Sequence, residues 1–245
     1  MFIGSSIRII AMASKTFKRF YKQAAFVETA AGFAIQLDGK AVKTPGARPL
    51  EVPSLALAES IAAEWQQQGE EVRPAAMPMT QLATTALDRV GPERHAIQGQ
   101  LMGYAATDLL CYRAEAPSEL VAHQAAHWQP LLDWAALALD APLNTTAGVL
   151  AVEQPPAALA ALARSLDSLD PWRLTAVQAA TAAAGSLVLA LALEAGRLSA
   201  EAVFDLSQLD ETFQIERWGE DYEAADRRSQ LRQDIDATGR LLDLL

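Results

Sequence analysis

A single cysteine, Cys111, occurs in the chain, so no intrachain disulfide can form and a reducing compartment suits the protein better than secretion. Cys111 is expected to be a small buried hydrophobe. Basic charge is also scarce: 20 Lys and Arg face 30 Asp and Glu, for a net charge of -10 and a sequence pI near 4.8. This argues against nucleic-acid binding, which needs a basic footprint to displace phosphate counterions. Long apolar runs are missing. The one candidate span, Ala176 to Ala195, is interrupted by Gln178, Thr181 and Ser186 and is rich in Ala, which contributes little to insertion. It reads as a buried helix. No glycine-rich loop of the dinucleotide or P-loop type is present, and no nucleophile elbow. The first twelve residues contain the apolar patch Ile7-Arg8-Ile9-Ile10 but no apolar core long enough for a signal peptide.

What is there is an ordinary globular composition, 51% hydrophobic and 20% charged over 245 residues, enough for one large domain or two unequal ones. The charge is unevenly placed. Residues 1–48 hold eight basic residues against Glu28 and Asp38, leaving the acidity on the remainder, where a basic partner would be drawn. Ala25 to Thr29 reads as a short strand, Phe33 to Leu37 alternates at period two, and Asp38-Gly39 after them is a type I′ hairpin signal, which sets Val42 opposite Ile35. A strand at Leu50 to Val52 follows. Ser54 then caps a helix whose inner face carries Leu57, Ile61 and Trp65. Beyond Pro74 and Pro78 the pattern is helical: Thr80 to Val90, Pro92 to about Ala106, and Ser118 to about Leu139 with Pro130 inside. After a short strand at Gly148 to Val152 come Ala157 to Ser168, one alanine-rich helix from Pro171 to Gly196, a Ser199-capped helix and a last helix from Tyr222 to Leu244. The expected fold class is α+β, with a disordered start at 1–16, a β-rich N-terminal domain with one helix at 17–76, and a larger helical C-terminal domain at 77–245.

Few constellations suggest chemistry. His123 and His127 stand one helical turn apart, as in zinc peptidases, but Gln124 follows the first histidine where the peptidase motif needs Glu as general base. A metal-dependent hydrolase using His123 and His127 is kept as an alternative, as is a general protein-binding adaptor. Asp108 with Arg113 could form a buried pair or fix how one helix ends and the next begins. Asp210 and Glu211 are adjacent on a helix, point about 100° apart and cannot readily share a proton. The Ser199-capped helix carries an unusual stripe in which Phe204, Ser207, Glu211, Gln214 and Trp218 follow one another at three- and four-residue spacings. Trp is enriched at interface hot spots, so the stripe suits docking. Periodicity alone favours Phe204 and Trp218 packing beneath other helices, with Glu211 a solvated or capping charge.

Several blocks occur in a specific order: Lys18-Arg19-Phe20-Tyr21-Lys22; Leu37-Asp38-Gly39-Lys40 with Val42-Lys43-Thr44-Pro45; Val52-Pro53-Ser54 with Ala58 and Glu64-Trp65; Thr107-Asp108 with Cys111-Tyr112-Arg113; Gln124, Trp128, Pro130 and Trp134; and Leu209 to Gly219 with Phe213-Gln214 and Trp218-Gly219. This ordered set, over roughly residues 17–235, resembles the ATP12 family of F1-ATPase assembly chaperones. The resemblance implies a chaperone that is not an enzyme and needs no cofactor. It would bind the free F1 α subunit, prevent its aggregation and release it when the β subunit pairs with it. It also implies a small β-rich domain followed by a larger helical one. The family's sensitive acidic position falls on Glu211, with Asp210 the adjacent possibility. Gln214, Trp218 and Gly219 match family positions, so the partner-binding candidates are Glu211, Asp210, Gln214, Trp218, Phe204 and Ser207. Family members occur in mitochondria and α-proteobacteria, and the alanine-rich composition favours a bacterial cytoplasmic protein, monomeric when free; a eukaryotic one would work in the mitochondrial matrix.

Overall fold

The computed structural model describes residues 16–148, 150–219 and 221–245. The expected disordered start therefore lies outside the described residues, except for Thr16. The fold is α+β, with short strands preceding a helical remainder. The chain divides into two compact units, one reaching Arg94 and including Arg240–Leu245, the other His95–Gly239.

In the first unit, β1 (Phe17–Lys18) pairs with β6 (Glu71–Val72), while β2 (Ala24–Thr29), β3 (Gly32–Leu37), β4 (Lys40–Ala41) and β5 (Glu51–Val52) form an antiparallel sheet. β3 is central: it runs along β2 with Phe26 opposite Ile35, and its other edge takes β4 and β5. The β3–β4 turn has φ 49° at Asp38 and 76° at Gly39, the positive pair that a type I′ turn requires. Val42 N–H donates to the Ile35 carbonyl at 2.8 Å, as the alternation anticipates. The Asp38 carboxylate also accepts from the N–H groups of Gln23 at 2.8 Å and Lys22 at 3.1 Å, and these bonds hold its pKa below the usual carboxylate value.

Gly32 is where backbone must pass close to backbone. A Cβ there would lie 2.2 Å from the Val52 carbonyl oxygen, and its φ of 142° is closed to ordinary side chains. The strands are tied to α1 (Leu55–Gln66) through Arg19 and Tyr21. Arg19 donates to the carbonyls of Tyr21, Lys22, Gln66 and Gln68, and its guanidinium lies 4.5 Å above the Tyr21 ring. Tyr21 hydroxyl donates to the Trp65 carbonyl at 2.6 Å, in a core with Leu37, Val72 and Met77. Ser54 caps α1 by accepting from Leu57 N–H, and Leu57 and Ile61 are fully buried. From the end of α1, Glu64 caps α2 (Pro78–Thr85), accepting from Met79 N–H, Thr80 N–H and the Thr80 hydroxyl at 2.7–2.8 Å. A π turn, Ala86–Val90, follows, and its Asp88 holds Thr44 and Gly46 of the β4–β5 loop.

The second unit contains α3 (Arg94–Ala106, from its second residue), β7 (Tyr112–Arg113), α4 (Ser118–Ala138), β8 (Thr146–Ala147), α5 (Pro156–Ser168), α6 (Pro171–Ala184), α7 (Leu187–Glu194), α8 (Ala200–Ser207), α9 (Leu209–Trp218) and α10 (Tyr222–Leu244, to Gly239). β8 pairs in parallel with β7 and lies ahead of the strand expected at Gly148 to Val152. α4 continues through Pro130.

The alanine-rich segment, expected as one helix, is two. Gly185 closes α6 in a left-handed conformation, and Ser186 caps α7, which is buried from Leu187 through Leu193. The cause is Asp108, fully buried, which accepts from the Ser186 hydroxyl at 2.7 Å, Val188 N–H at 3.0 Å and Leu110 N–H at 3.1 Å. Arg113 is not its partner: Asp108 organises helix ends instead. Burial raises the Asp108 pKa, and these bonds act in the opposite direction. Cys111 is buried as expected, and burial pushes its thiol up to about 12, so it stays protonated. Among the described residues no helix is long and apolar enough to cross a membrane.

Asp108→Ala strands three buried donors and should cost about 3 kcal/mol or more, read as a lower urea midpoint with unchanged slope. Gly32→Ala should cost about 3 kcal/mol by forcing β3 from β5, and move the amide resonances of both strands toward random-coil values in an NMR spectrum.

Candidate functional site

The Ser199 cap behaves as the sequence predicts, with its hydroxyl accepting from Ala202 N–H at 3.2 Å. The helix it starts does not reach Trp218, however. It stops at Ser207, and α9 begins at Leu209 after Gln208, whose φ of -106° and ψ of 15° leave the helical region. Nothing in the local sequence marks this break, since neither Gly nor Pro is near. Tertiary partners supply it. Trp128 of α4, 1% exposed, donates its indole N–H to the Leu206 carbonyl at 3.0 Å, taking up an acceptor at the end of α8. Ser207 hydroxyl donates to the Phe204 carbonyl at 2.8 Å. Arg228 of α10 donates to the Gln208 side-chain oxygen and the Thr212 hydroxyl at 3.3 and 3.1 Å.

The break divides the six candidates. Phe204 is buried, with the Arg232 guanidinium 4.1 Å and that of Arg228 5.5 Å from its ring centre. Ser207 is committed to its own helix end. Asp210 faces inward, accepting from the Gln124 amide at 2.7 Å, while the Gln124 oxygen accepts from Ala114 N–H at 2.8 Å. Arg113 joins this cluster, donating to the Gln124 carbonyl at 2.8 Å and standing 5.3 Å from the Trp128 ring; its Nε and Nη2 are buried without a hydrogen-bond partner. Burial lowers the Arg113 pKa, and the Asp210 charge partly offsets this.

Glu211, Gln214 and Trp218 remain together. They share the outer face of α9 at helical spacing and line a groove of about 200 Å³ with Ile215, Gly219, Asp221 and Ala224. Trp218 is 76% exposed and Tyr222, at the start of α10, is 93% exposed. The stripe omits Ile215, which lines the groove from α9 itself, and Asp221 and Ala224, which line it from beyond the turn at Gly219. An aromatic four residues beyond Trp218 was the available signal.

His123 and His127 lie on the exposed side of α4, their rings edge-to-face at 4.3 Å, with His127 Nδ1 2.9 Å from the His123 carbonyl oxygen. They border a second groove, about 440 Å³, with Ala202, Asp205, Leu206, Leu209 and Thr212. Among the described residues no group of three His, Cys, Asp or Glu side chains is placed to hold a metal ion, and Asp205 lies 3.6 Å from the Arg232 guanidinium.

A family model described as ATP12 chaperone protein matches residues 18–136. The crystal structure of Atp12 from Paracoccus denitrificans superposes with a TM-score of 0.88 at 42% identity, covering 93% of this chain and 97% of that one. The chain belongs to the ATP12 chaperone family. A structure from Agrobacterium tumefaciens has the same TM-score at 40% identity, covering 94% of this chain and 86% of that one. The mitochondrial atp12 protein of Schizosaccharomyces pombe is 29% identical over 216 residues, 83% of this chain and 74% of that protein. The ATP12 blocks of the first unit now have physical roles: Arg19 and Tyr21 tie strand to helix, and Glu64 caps α2.

Within the ATP12 architecture, Asp210 and Gln124 hold α9 against α4. Gln124→Leu leaves Ala114 N–H and the Asp210 carboxylate without their partner and should destabilise by about 2 kcal/mol. Asp210→Asn, whose amide oxygen still accepts, should cost about 1 kcal/mol or less in the same urea titration.

Proposed function

We propose that this chain is an assembly chaperone for the F1 sector of ATP synthase, binding the unassembled F1 α subunit and preventing its aggregation until the β subunit pairs with it. Membership of the ATP12 family supports the assembly role. The observation that carries the reading to a site is the outer face of α9, where an exposed indole stands in one groove with Glu211. An unassembled subunit exposes apolar interface surface, and a partner that covers it with aromatics while fixing register through a carboxylate keeps it soluble without a nucleotide cycle. Release is then displacement by the β subunit.

On this reading Glu211, Gln214 and Trp218 touch the client, and Asp210, Phe204 and Ser207 hold the helices that present them. The bacterial relatives favour the cytoplasm of an α-proteobacterium as the place of action.

Purified chain should suppress aggregation of the F1 α subunit at equimolar ratio and co-elute with it in size exclusion. Glu211→Lys should lower that affinity at least roughly tenfold, about 1.4 kcal/mol, with an unchanged melting temperature. Failure of the wild type to protect the α subunit, or full protection by Glu211→Lys, would count against the reading. A pull-down that enriched many proteins equally would favour a general adaptor.

A further inference from the structure

The client face has a chemistry that selects one kind of side chain, an inference that rests on the chaperone reading above. The helical unit is one-sided in charge. Residues 95–239 hold twenty Asp and Glu, eight Arg and no Lys. Three arginines near the groove are engaged elsewhere: Arg217 lies 3.8 Å from the Phe213 ring centre, Arg228 bonds Gln208 and Thr212, and Arg232 sits by Asp205 and Phe204. Among the described residues none pairs with the Glu211 carboxylate. Asp221, on the opposite wall, gives one oxygen to the Ala224 N–H at 2.7 Å.

The groove thus joins an unpaired carboxylate to an exposed indole, with Ile215 and Ala224 as apolar lining and room for about one long side chain. Three occupants differ in how they meet these walls. An aliphatic side chain would cover Trp218 but strip water from Glu211 without replacing it. A lysine ammonium would pair with Glu211, yet it is a compact, strongly hydrated charge that gains less from lying flat on an indole. A guanidinium satisfies both, because it is planar, weakly hydrated, bonds a carboxylate through two N–H groups and stacks on the Trp face.

We propose that the groove between α9 and the start of α10 receives an arginine side chain of the client protein, its guanidinium paired with Glu211 and stacked on Trp218. Tyr222, outside the groove, covers apolar residues flanking that arginine.

The test uses the full chain and three capped tripeptides at millimolar concentration, Leu-Arg-Leu, Leu-Lys-Leu and Leu-citrulline-Leu, the last keeping the arginine shape without its charge. The readout is the Trp218 indole N–H resonance, assigned by its loss in Trp218→Phe. The arginine peptide should shift it in a saturable way, the lysine peptide should bind several-fold more weakly, and citrulline should leave it unmoved. Glu211→Gln should weaken arginine-peptide binding roughly tenfold. Equal shifts from arginine and citrulline, or no shift from any peptide, would overturn the proposal. A parallel titration with purified F1 α subunit separates the two readings. If the α subunit binds wild type, Glu211→Gln and Trp218→Ala equally, the arginine groove is wrong and the client assignment survives. If only the arginine peptide binds, the groove stands and the client assignment is wrong.

Discussion

Carbonyl groups at the end of a helix have no partner inside it, and the way those of α8 are satisfied sets the direction of the chain after Ser207. The Leu206 carbonyl takes the Trp128 indole N–H, the Phe204 carbonyl takes the Ser207 hydroxyl beside its helical bond from Gln208 N–H, and Arg228 secures the Gln208 side chain. These bonds let the chain leave the helical path for one residue and start again as α9. Without the break, Phe204 and Trp218 would lie on one continuous helix. With it, Phe204 is a core residue under two guanidinium groups and Trp218 stands in solvent.

Side-chain carboxylates play a related part at three helix starts. Glu64, Asp108 and Asp210 are acidic residues that accept from N–H donors of other segments, and each acts where a helix begins: Glu64 at α2, Asp108 at α7, Asp210 at α9. A carboxylate can accept several bonds at once and is favoured by the partial positive charge of a helix N-terminus. A net acidic chain therefore spends part of its negative charge as internal fastening. The adjacent Asp210 and Glu211 divide the two uses, since neighbours on a helix point about 100° apart: one is tied to Gln124 and the other is left to the groove.

On the proposed reading, the client is held by contacts that a better partner can displace. A small groove with one carboxylate and one exposed indole suits that demand, because rim charges and a few aromatic anchors give selectivity without the burial of a permanent interface. Rigidity behind the face then matters as much as the face. α9 is only ten residues long, and its placement depends on Gln124 and Arg228 reaching it from α4 and α10 and on Trp128 fixing the end of α8 just before it.

The sequence by itself determined what depends on nearest neighbours along the chain. Asp38-Gly39 dictated a type I′ turn, Ser54 and Ser199 dictated helix starts, period-two alternation placed β3, and the ordered blocks identified the family. Each rests on a local steric or hydrogen-bond rule that a few residues satisfy by themselves. Tertiary structure alone decided where the long helical patterns break. Gly185-Ser186 in the alanine-rich segment needed Asp108 from 78 residues away to make a buried helix start there favourable. Gln208 carries no breaking signal at all, and its departure from helical geometry is stable because Trp128 takes up the freed Leu206 carbonyl while Arg228 holds the Gln208 side chain and the Thr212 hydroxyl. Periodicity therefore found Glu211, Gln214 and Trp218 as one face but wrongly extended that face back to Phe204 and Ser207. A 3.6-residue repeat is blind to bonds supplied by another helix.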